Sequence, residues 1–318
     1  MPESPFALDG RVAFVTGGNG GLGRDIARAL RDQGAHVAIG GRRAERNAEV
    51  LAELGLQHSA HELDVADEAS VRDAVAATVR RYGRLDILIN NAAIGQRASV
   101  MELDLAAWER VLRTNLTGAF LCTKHAAQQM KSQHAGKIIN ISSIYGLVAP
   151  SKGLQVAYTV SKHALIGLTK VNAVELMPLG IQVNAIAPGW FFSEMTEELR
   201  GTDFEQAALR RIPAARWGRT ADLVGTCLYL ASPADRGAAF AARGSAGQFG
   251  KPGIGDEEPQ NRPSPDDSAI CSCRPAFTPA VSREVCRRGP AKASAREGQR
   301  RRPAIRGLSP PARIARQG

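Results

Sequence analysis

Between residues 11 and 230 the chain alternates short, mostly apolar runs with longer amphipathic ones. The apolar runs predict six strands, at residues 12–15, 36–39, 57–63, 85–89, 137–141 and 182–186. The amphipathic stretches predict helices at 22–33, 44–54, 68–82, 105–131 and 157–177. Strands without polar alternation are buried on both faces, which calls for a parallel sheet covered by helices on each side. Right-handed crossovers then give a doubly wound α/β fold.

After Ser232-Pro233 the pattern ends. Residues 236–318 hold ten of the 17 prolines and show neither period, so they are expected to form a disordered tail. This change locates the charge. Residues 1–235 carry 25 Lys+Arg against 24 Asp+Glu, whereas residues 236–318 carry 16 against 7, so the net charge of +10 belongs to the tail. Arg300-Arg301-Arg302 offers one reading of it, a basic arm for nucleic acid or anionic lipid, but a solvated appendage is expected instead. Five cysteines make no disulfide framework, and Cys271, Cys273 and Cys286 lack zinc-site spacing, so no metal is expected. Cys122 and Cys227 fall in apolar helical surroundings and read as buried thiols. With no run long enough for a membrane span and no secretory signal at residues 1–5, a cytoplasmic location without membrane partners is expected.

The candidate chemistry starts directly after the first strand. Thr16-Gly17-Gly18-Asn19-Gly20-Gly21-Leu22-Gly23 leads into a helix, and glycines there allow a tight turn and close backbone approach to a diphosphate at a helix N-terminus. At the end of the second strand Gly40-Gly41-Arg42-Arg43 replaces the carboxylate that would accept from a ribose 2′-hydroxyl. A guanidinium at Arg42 suits a 2′-phosphate, so NADP is expected, with NAD the alternative. Asp64-Val65 closes the third strand and suits an adenine contact, or alternatively a cap for the helix beginning near Asp67.

Tyr158 and Lys162 lie four residues apart in a helical stretch and so share one face. A phenol with an ammonium beside it is a general acid/base pair; without one it titrates near ~10.

Taken together, these segments resemble the short-chain dehydrogenase/reductase superfamily over residues 8–235. The family's glycine turn matches residues 16–23, and its N-N-A-G motif appears as Asn90-Asn91-Ala92-Ala93. Its helix asparagine is matched by Asn115, its serine by Ser143 and its Y-x-x-x-K by Tyr158 and Lys162. Its P-G turn is Pro188-Gly189. The resemblance implies a Rossmann-type catalytic domain over 1–235 that transfers hydride between a nicotinamide and an alcohol/carbonyl pair. It implies that Tyr158 donates the proton, that Ser143 (with Ser142 the competitor) orients the carbonyl, that Lys162 lowers the phenol pKa and holds the ribose, and that Asn115 positions a relay water. The resemblance further implies cofactor contacts from Thr16, Gly17, Asn19, Gly21, Leu22, Gly23, Arg42, Asp64, Val65, Asn91, Ala92, Tyr158, Lys162, Pro188, Gly189 and Ser193. The interval of 15 residues from Ser143 to Tyr158 suggests a small insertion at 151–153 beside the substrate mouth.

The wording of residues 188–196 is most similar to gluconate 5-dehydrogenase-type members, which implies a small-molecule substrate such as a sugar acid (gluconate/5-ketogluconate) or polyol. A 3-oxoacyl-acyl-carrier-protein reductase is the second reading. A weakly active protein whose basic tail binds nucleic acid is the third. The family's ending is missing: no apolar seventh strand follows Ala246-Gly247-Gln248, and the tail reads like a frame translated out of phase. The sixth strand should therefore keep an open edge, which lowers stability and puts the family's homo-oligomer in question.

Overall fold

A computed structural model describes residues 4–150 and 154–235, together with the backbone of 242–244. It contains the parallel sheet that the pattern predicts. In chain order the strands are β1 (Val12–Thr16), β2 (His36–Gly41), β3 (Ser59–Glu62), β4 (Ile87–Asn90), β5 (Gly136–Ile141) and β6 (Ile181–Ala187). Their spatial order is β3-β2-β1-β4-β5-β6, so the chain reverses direction across the sheet between β1 and β4. A ligand cleft belongs above the C-terminal ends of those two strands.

Helices cover both faces. On one side α1 (Gly21–Asp32), α2 (Ala44–Leu54) and α8 (Thr220–Ala231) bury Ile26, Leu30, Val50, Leu223 and Leu230 against β1, β2 and β5. On the other, α3 (Glu68–Tyr82), α5 (Gly118–Gln133) and α6 (Val156–Leu176) bury Val71, Val75, Leu121, Met130 and Ala173. Asp67 caps α3 by accepting from Ala69 N, and Gly83 ends that helix at φ 77°.

The predicted helix 105–131 is divided. It begins as α4 (Leu105–Leu112), passes through a π-helical turn (Arg113–Thr117) and continues as α5. The extra residue in that turn places Asn115 inward, and such bulges leave no trace in hydrophobic periodicity. A short helix α7 (Asp203–Leu209) precedes α8.

The six-stranded parallel sheet is the one expected, and three further residues lie along part of its last edge. The backbone of β7 (Ala242–Gly244) pairs in parallel with Ala185–Ala187 of β6. Strand pairing is made by main-chain groups, so three residues of a segment without apolar pattern suffice to occupy part of an open edge. The tail beyond β7, with the 246–248 turn, the arginine run, the three tail cysteines and the predicted tail boundary at 236, lies outside the described residues. The 151–153 insertion does too. No helix among the described residues is long and apolar enough to cross a membrane.

The lower ends of β1 and β4 are joined by one carboxylate. Buried Asp86 accepts from Arg11, from Arg84 and from the backbone N–H of Val12 at 2.9 Å. Asp86→Ala leaves that N–H buried without an acceptor, so a loss of ~1–3 kcal/mol is expected in urea unfolding. A change below about 0.5 kcal/mol, the range of ordinary surface substitutions, would show that the carboxylate is dispensable.

Candidate active site

The upper ends of β1 and β4 are cross-linked by side chains. Thr16 Oγ1 accepts from the N–H groups of Asn91 and Ala92, at 3.0 and 3.1 Å. Asn91 Nδ2 donates to the carbonyls of Thr16 and Gly17, at 3.0 and 3.2 Å. The glycine turn is thereby held from beneath by the segment after β4. Gly21 has φ 49°, and a Cβ on Gly23 would stand 2.2 Å from the Gly17 carbonyl, so helix α1 reaches the turn only through glycine. Leu22 lies half-buried against the core.

The corner after β2 is equally tight. Asn19 Nδ2 donates to Asn47 Oδ1 at 2.7 Å, and Asn47 donates in turn to the carbonyls of Gly41 and His61. A Cβ on Gly41 would stand 2.2 Å from Asn19 Nδ2, so the folded-over asparagine leaves no room for a carboxylate there. Arg42 is exposed beside this corner. Asp64 is exposed and caps a local turn through Ala66 N, while Asp67, not Asp64, caps α3. Val65 is buried and touches the site of a Cβ on Gly118, which ties β3's end to the start of α5.

Helix α6 is fastened to the end of β5 in both directions. Lys162 Nζ donates to the Ile141 carbonyl at 2.7 Å, and Ser142 Oγ donates to the Lys162 carbonyl at 3.0 Å. Ser142 is thus committed to the helix backbone. Ser143 faces the other way, accepts from Tyr145 N and hydrogen-bonds the Tyr158 phenol. Asn115, fully buried, exchanges hydrogen bonds with the backbone of Ile94 and donates to Ser161 Oγ at 3.1 Å. Four residues spread over 47 positions therefore converge, carried by the π-helical turn, the end of β5 and the first turns of α6.

Burial sets the titration here. It lowers the Lys162 ammonium to about 7 and raises the Tyr158 phenol, with the Ser143 hydrogen bond opposing that rise. Lys162 Nζ sits 5.6 Å over the Tyr158 ring centroid and is directed at a backbone carbonyl.

A cavity of about 440 Å³ opens from Ser143 and Tyr158. Its walls include Gln96, Arg97, Gln155, Gly189, Trp190 and Met195. Trp190 is fixed by Trp217, stacked at 5.5 Å, and by Tyr145 and Phe204 edge-on. Tyr145 itself is pushed up to about 12 by burial. The Pro188 carbonyl accepts from Ile144 N at 2.7 Å, which places the loop after β6 against the Ser143 turn. Ser193 lies over the glycine turn, its Cβ 3.8 Å from that of a residue replacing Gly21. Two charge pairs hold this loop: Glu194 with Arg46 at 2.5 Å, and Glu198 with Arg97 at 2.9 Å. Sequence reasoning did not single out Arg97, Arg46, Gln155, Glu194 or Glu198. Only Glu194 falls in a segment used there, residues 188–196, and the ion-pair partners are about 100 or more residues apart.

The profile of the short chain dehydrogenase family matches residues 11–203. This chain belongs to that family and is an oxidoreductase of it. It is 39% identical over 233 residues to the gluconate 5-dehydrogenase of Gluconobacter oxydans (strain 621H), covering 72% of this chain and 90% of that protein. Over 226 residues it is also 39% identical to the 3-oxoacyl-[acyl-carrier-protein] reductase FabG of Staphylococcus aureus (strain MW2), covering 70% of this chain and 91% of that one. Among solved structures, a gluconate 5-dehydrogenase from Burkholderia cenocepacia J2315 in complex with NADP and tartrate superposes with a TM-score of 0.71. It is 35% identical, over 74% of this chain and 93% of that one.

The Lys162 shift makes stability depend on pH. The folded chain releases this proton near 7 and the unfolded chain near 10.5, so stability rises with pH across that interval and the buried charge burdens the fold fully only below it. Buried Cys122 and Cys227, raised from 9.0 to about 12, act in the opposite sense above pH 9. Between about pH 6 and 9 the wild-type Tm should therefore rise relative to that of Lys162→Met. A constant difference would contradict a buried, readily neutralised lysine.

Proposed function

We propose that this chain is an NADP-dependent oxidoreductase that interconverts a hydroxyl and a keto group on a small acidic sugar derivative, of the gluconate/5-ketogluconate kind. The observation that carries the substrate class is Arg97, a guanidinium on the wall of the cavity that begins at Ser143 and Tyr158. Gln96 and Gln155 add amide donors to the same wall, and a substrate carboxylate would take the place of Glu198, the lining residue that pairs with Arg97 at 2.9 Å. The name of the Gluconobacter relative and the NADP and tartrate complex of the Burkholderia protein support this reading.

The glycine turn fits a dinucleotide: a Cβ at Gly23 or Gly41 would fill the space that the turn and the corner use, and Gly20 caps α1 without a side chain over its first N–H groups. Thr16, Asn91 and Ala92 hold the turn, with Gly17, Asn19, Gly21, Leu22 and Gly23 forming it. Arg42 would receive the 2′-phosphate, Asp64 and Val65 would hold the adenine, and Pro188, Gly189 and Ser193 would hold the nicotinamide. When bound, the nicotinamide supplies or accepts the hydride.

In the reducing direction Tyr158 gives its proton to the carbonyl oxygen. A phenol raised by burial remains protonated at neutral pH and is ready for that transfer. Ser143, which hydrogen-bonds the phenol, donates to the same oxygen as charge develops on it. Lys162 would hold the ribose hydroxyls and, with a pKa of about 7, return a proton to Tyr158. Asn115 secures α6 through Ser161 and completes the relay.

Tyr158→Phe should reduce turnover by about three orders of magnitude, the middle of the range for one proton-transfer group, with NADPH affinity unchanged by fluorescence titration. Ser142→Ala, which removes one bond of the α6 fastening but no group at the reacting oxygen, should lower turnover less than Ser143→Ala. Activity that survives Tyr158→Phe would overturn the assignment. Arg97→Ala should raise KM for keto-acids about tenfold and leave uncharged polyols unaffected, the loss of roughly one charged hydrogen bond. The similarity to the Staphylococcus reductase favours a second reading, an acyl thioester substrate. Turnover of acetoacetyl thioesters above that of keto-sugar acids would establish it in place of the first.

A further inference from the structure

The loop after β6 sets a carboxylate beside the glycine turn. Glu194 Oε1 accepts from Arg46 Nη1 at 2.5 Å, and its Oε2 lies 3.7 Å from Arg43 Nη2. A Cβ on Gly20 would stand 3.3 Å from the same Oε1. Gly20 is the residue that caps α1, and its neighbouring first-turn N–H groups receive no capping side chain. Arg43 caps α2, and Arg46 lies in that helix's first turn. One anionic group therefore occupies the space between the N-terminus of one helix and two guanidinium groups at the start of the next. That is the arrangement a phosphate seeks: a positive helix end on one side and forked donors on the other.

The carboxylate is held there loosely. Glu194, Arg43 and Arg46 have 59%, 55% and 37% of their side chains exposed, and exposed ion pairs contribute little free energy. The pair with Arg46 also lowers the Glu194 carboxyl below its ordinary range, so the carboxylate keeps its charge under neutral conditions. A group with more charge and more acceptor oxygens, brought in on a dinucleotide already seated on the glycine turn, would displace it.

We propose that Arg46, together with Arg43, receives a phosphate group of the dinucleotide, and that Glu194 holds this receptor until the phosphate takes its place. The proposal rests on the dinucleotide site assigned above and adds to it an arginine and an internal competitor. It also gives the loop a reason to respond to cofactor. Its next residue, Met195, lies 3.9 Å from the site of a Cβ on Gly95 at the substrate cavity, and Glu198 pairs with Arg97 there. Release of Glu194 on the cofactor side therefore frees a loop whose other end covers the substrate side.

The test is isothermal titration of the full-length chain with NADP+ and with NAD+ at low salt, for wild type, Glu194→Gln, Arg46→Gln and the double variant. Glu194→Gln should bind about two- to five-fold more tightly, the factor expected for loss of a competing exposed ion pair. Arg46→Gln should bind several-fold more weakly, and in the double variant the gain from Glu194→Gln should disappear. A gain confined to NADP+ assigns the 2′-phosphate, and a gain with both nucleotides assigns the diphosphate; either supports the proposal. Unchanged affinity in Glu194→Gln, or a gain that persists without Arg46, overturns it while the dinucleotide site stands. A wild-type chain that binds neither nucleotide overturns the site and the proposal together.

Discussion

The two-way fastening of α6 to β5 is the constraint on which the site depends. Lys162 reaches down to the Ile141 carbonyl, and Ser142 reaches back to the Lys162 carbonyl. Neither bond could be kept if the helix slid or rotated by one residue, because the lysine and its own carbonyl project in different directions. The space beneath is also closed: a Cβ on Gly146 would stand 2.7 Å from the Lys162 carbonyl. With the helix fixed, Ser143 and Tyr158 have only one relation to each other, although 15 residues separate them in the chain. An amine with a pKa of about 7 is the energetic cost of using a lysine as the bolt, and it leaves that lysine able to exchange protons at neutral pH.

Much of this was legible in the chain. The six long strands announced themselves because β1, β4, β5 and β6 are buried on both faces and need no polar alternation. The glycine turn and the Tyr158–Lys162 spacing are local, so their geometry follows from neighbouring residues. What escaped is nonlocal or irregular. The π-helical turn that delivers Asn115 sits inside an unbroken helical pattern, and residue periodicity has no symbol for one inserted residue. Arg97 and Glu198 meet only because a loop folds across the sheet top. The choice between Ser142 and Ser143 turned on a single hydrogen bond to a distant carbonyl. The short pairing along the sheet's last edge also left no signal, since the backbone of Ala242–Gly244 pairs with β6 without an apolar run.

The loop after β6 unites the two halves of the site. Its Trp190 packs on a small core of Leu199, Ile212 and Trp217 and its Phe191 is buried in the main core, whereas its carboxylates point outward to arginines on two different elements. The apolar part fixes where the loop hinges, and the ionic part, being exposed, fixes only where it rests. That division of labour is well suited to an enzyme that must admit two ligands over one sheet edge.

One further feature lies wholly inside the molecule. Asn90 and Asn140 are register partners on β4 and β5, joined at 2.8 Å, and Asn140 continues to Thr169 of α6 at 2.9 Å while Asn90 reaches Thr123 of α5. Amides in so dry a place are tolerated only when they find one another. A β4–β5 pairing shifted by a single residue would set Asn90 against Ile141 or Ile139 and break its pairing with Asn140 in either direction. The chain of polar groups thus works as a key for assembly, admitting one alignment of the two central strands and two helices and rejecting its near neighbours. Fidelity of folding, more than strength, is what this buried polar line contributes.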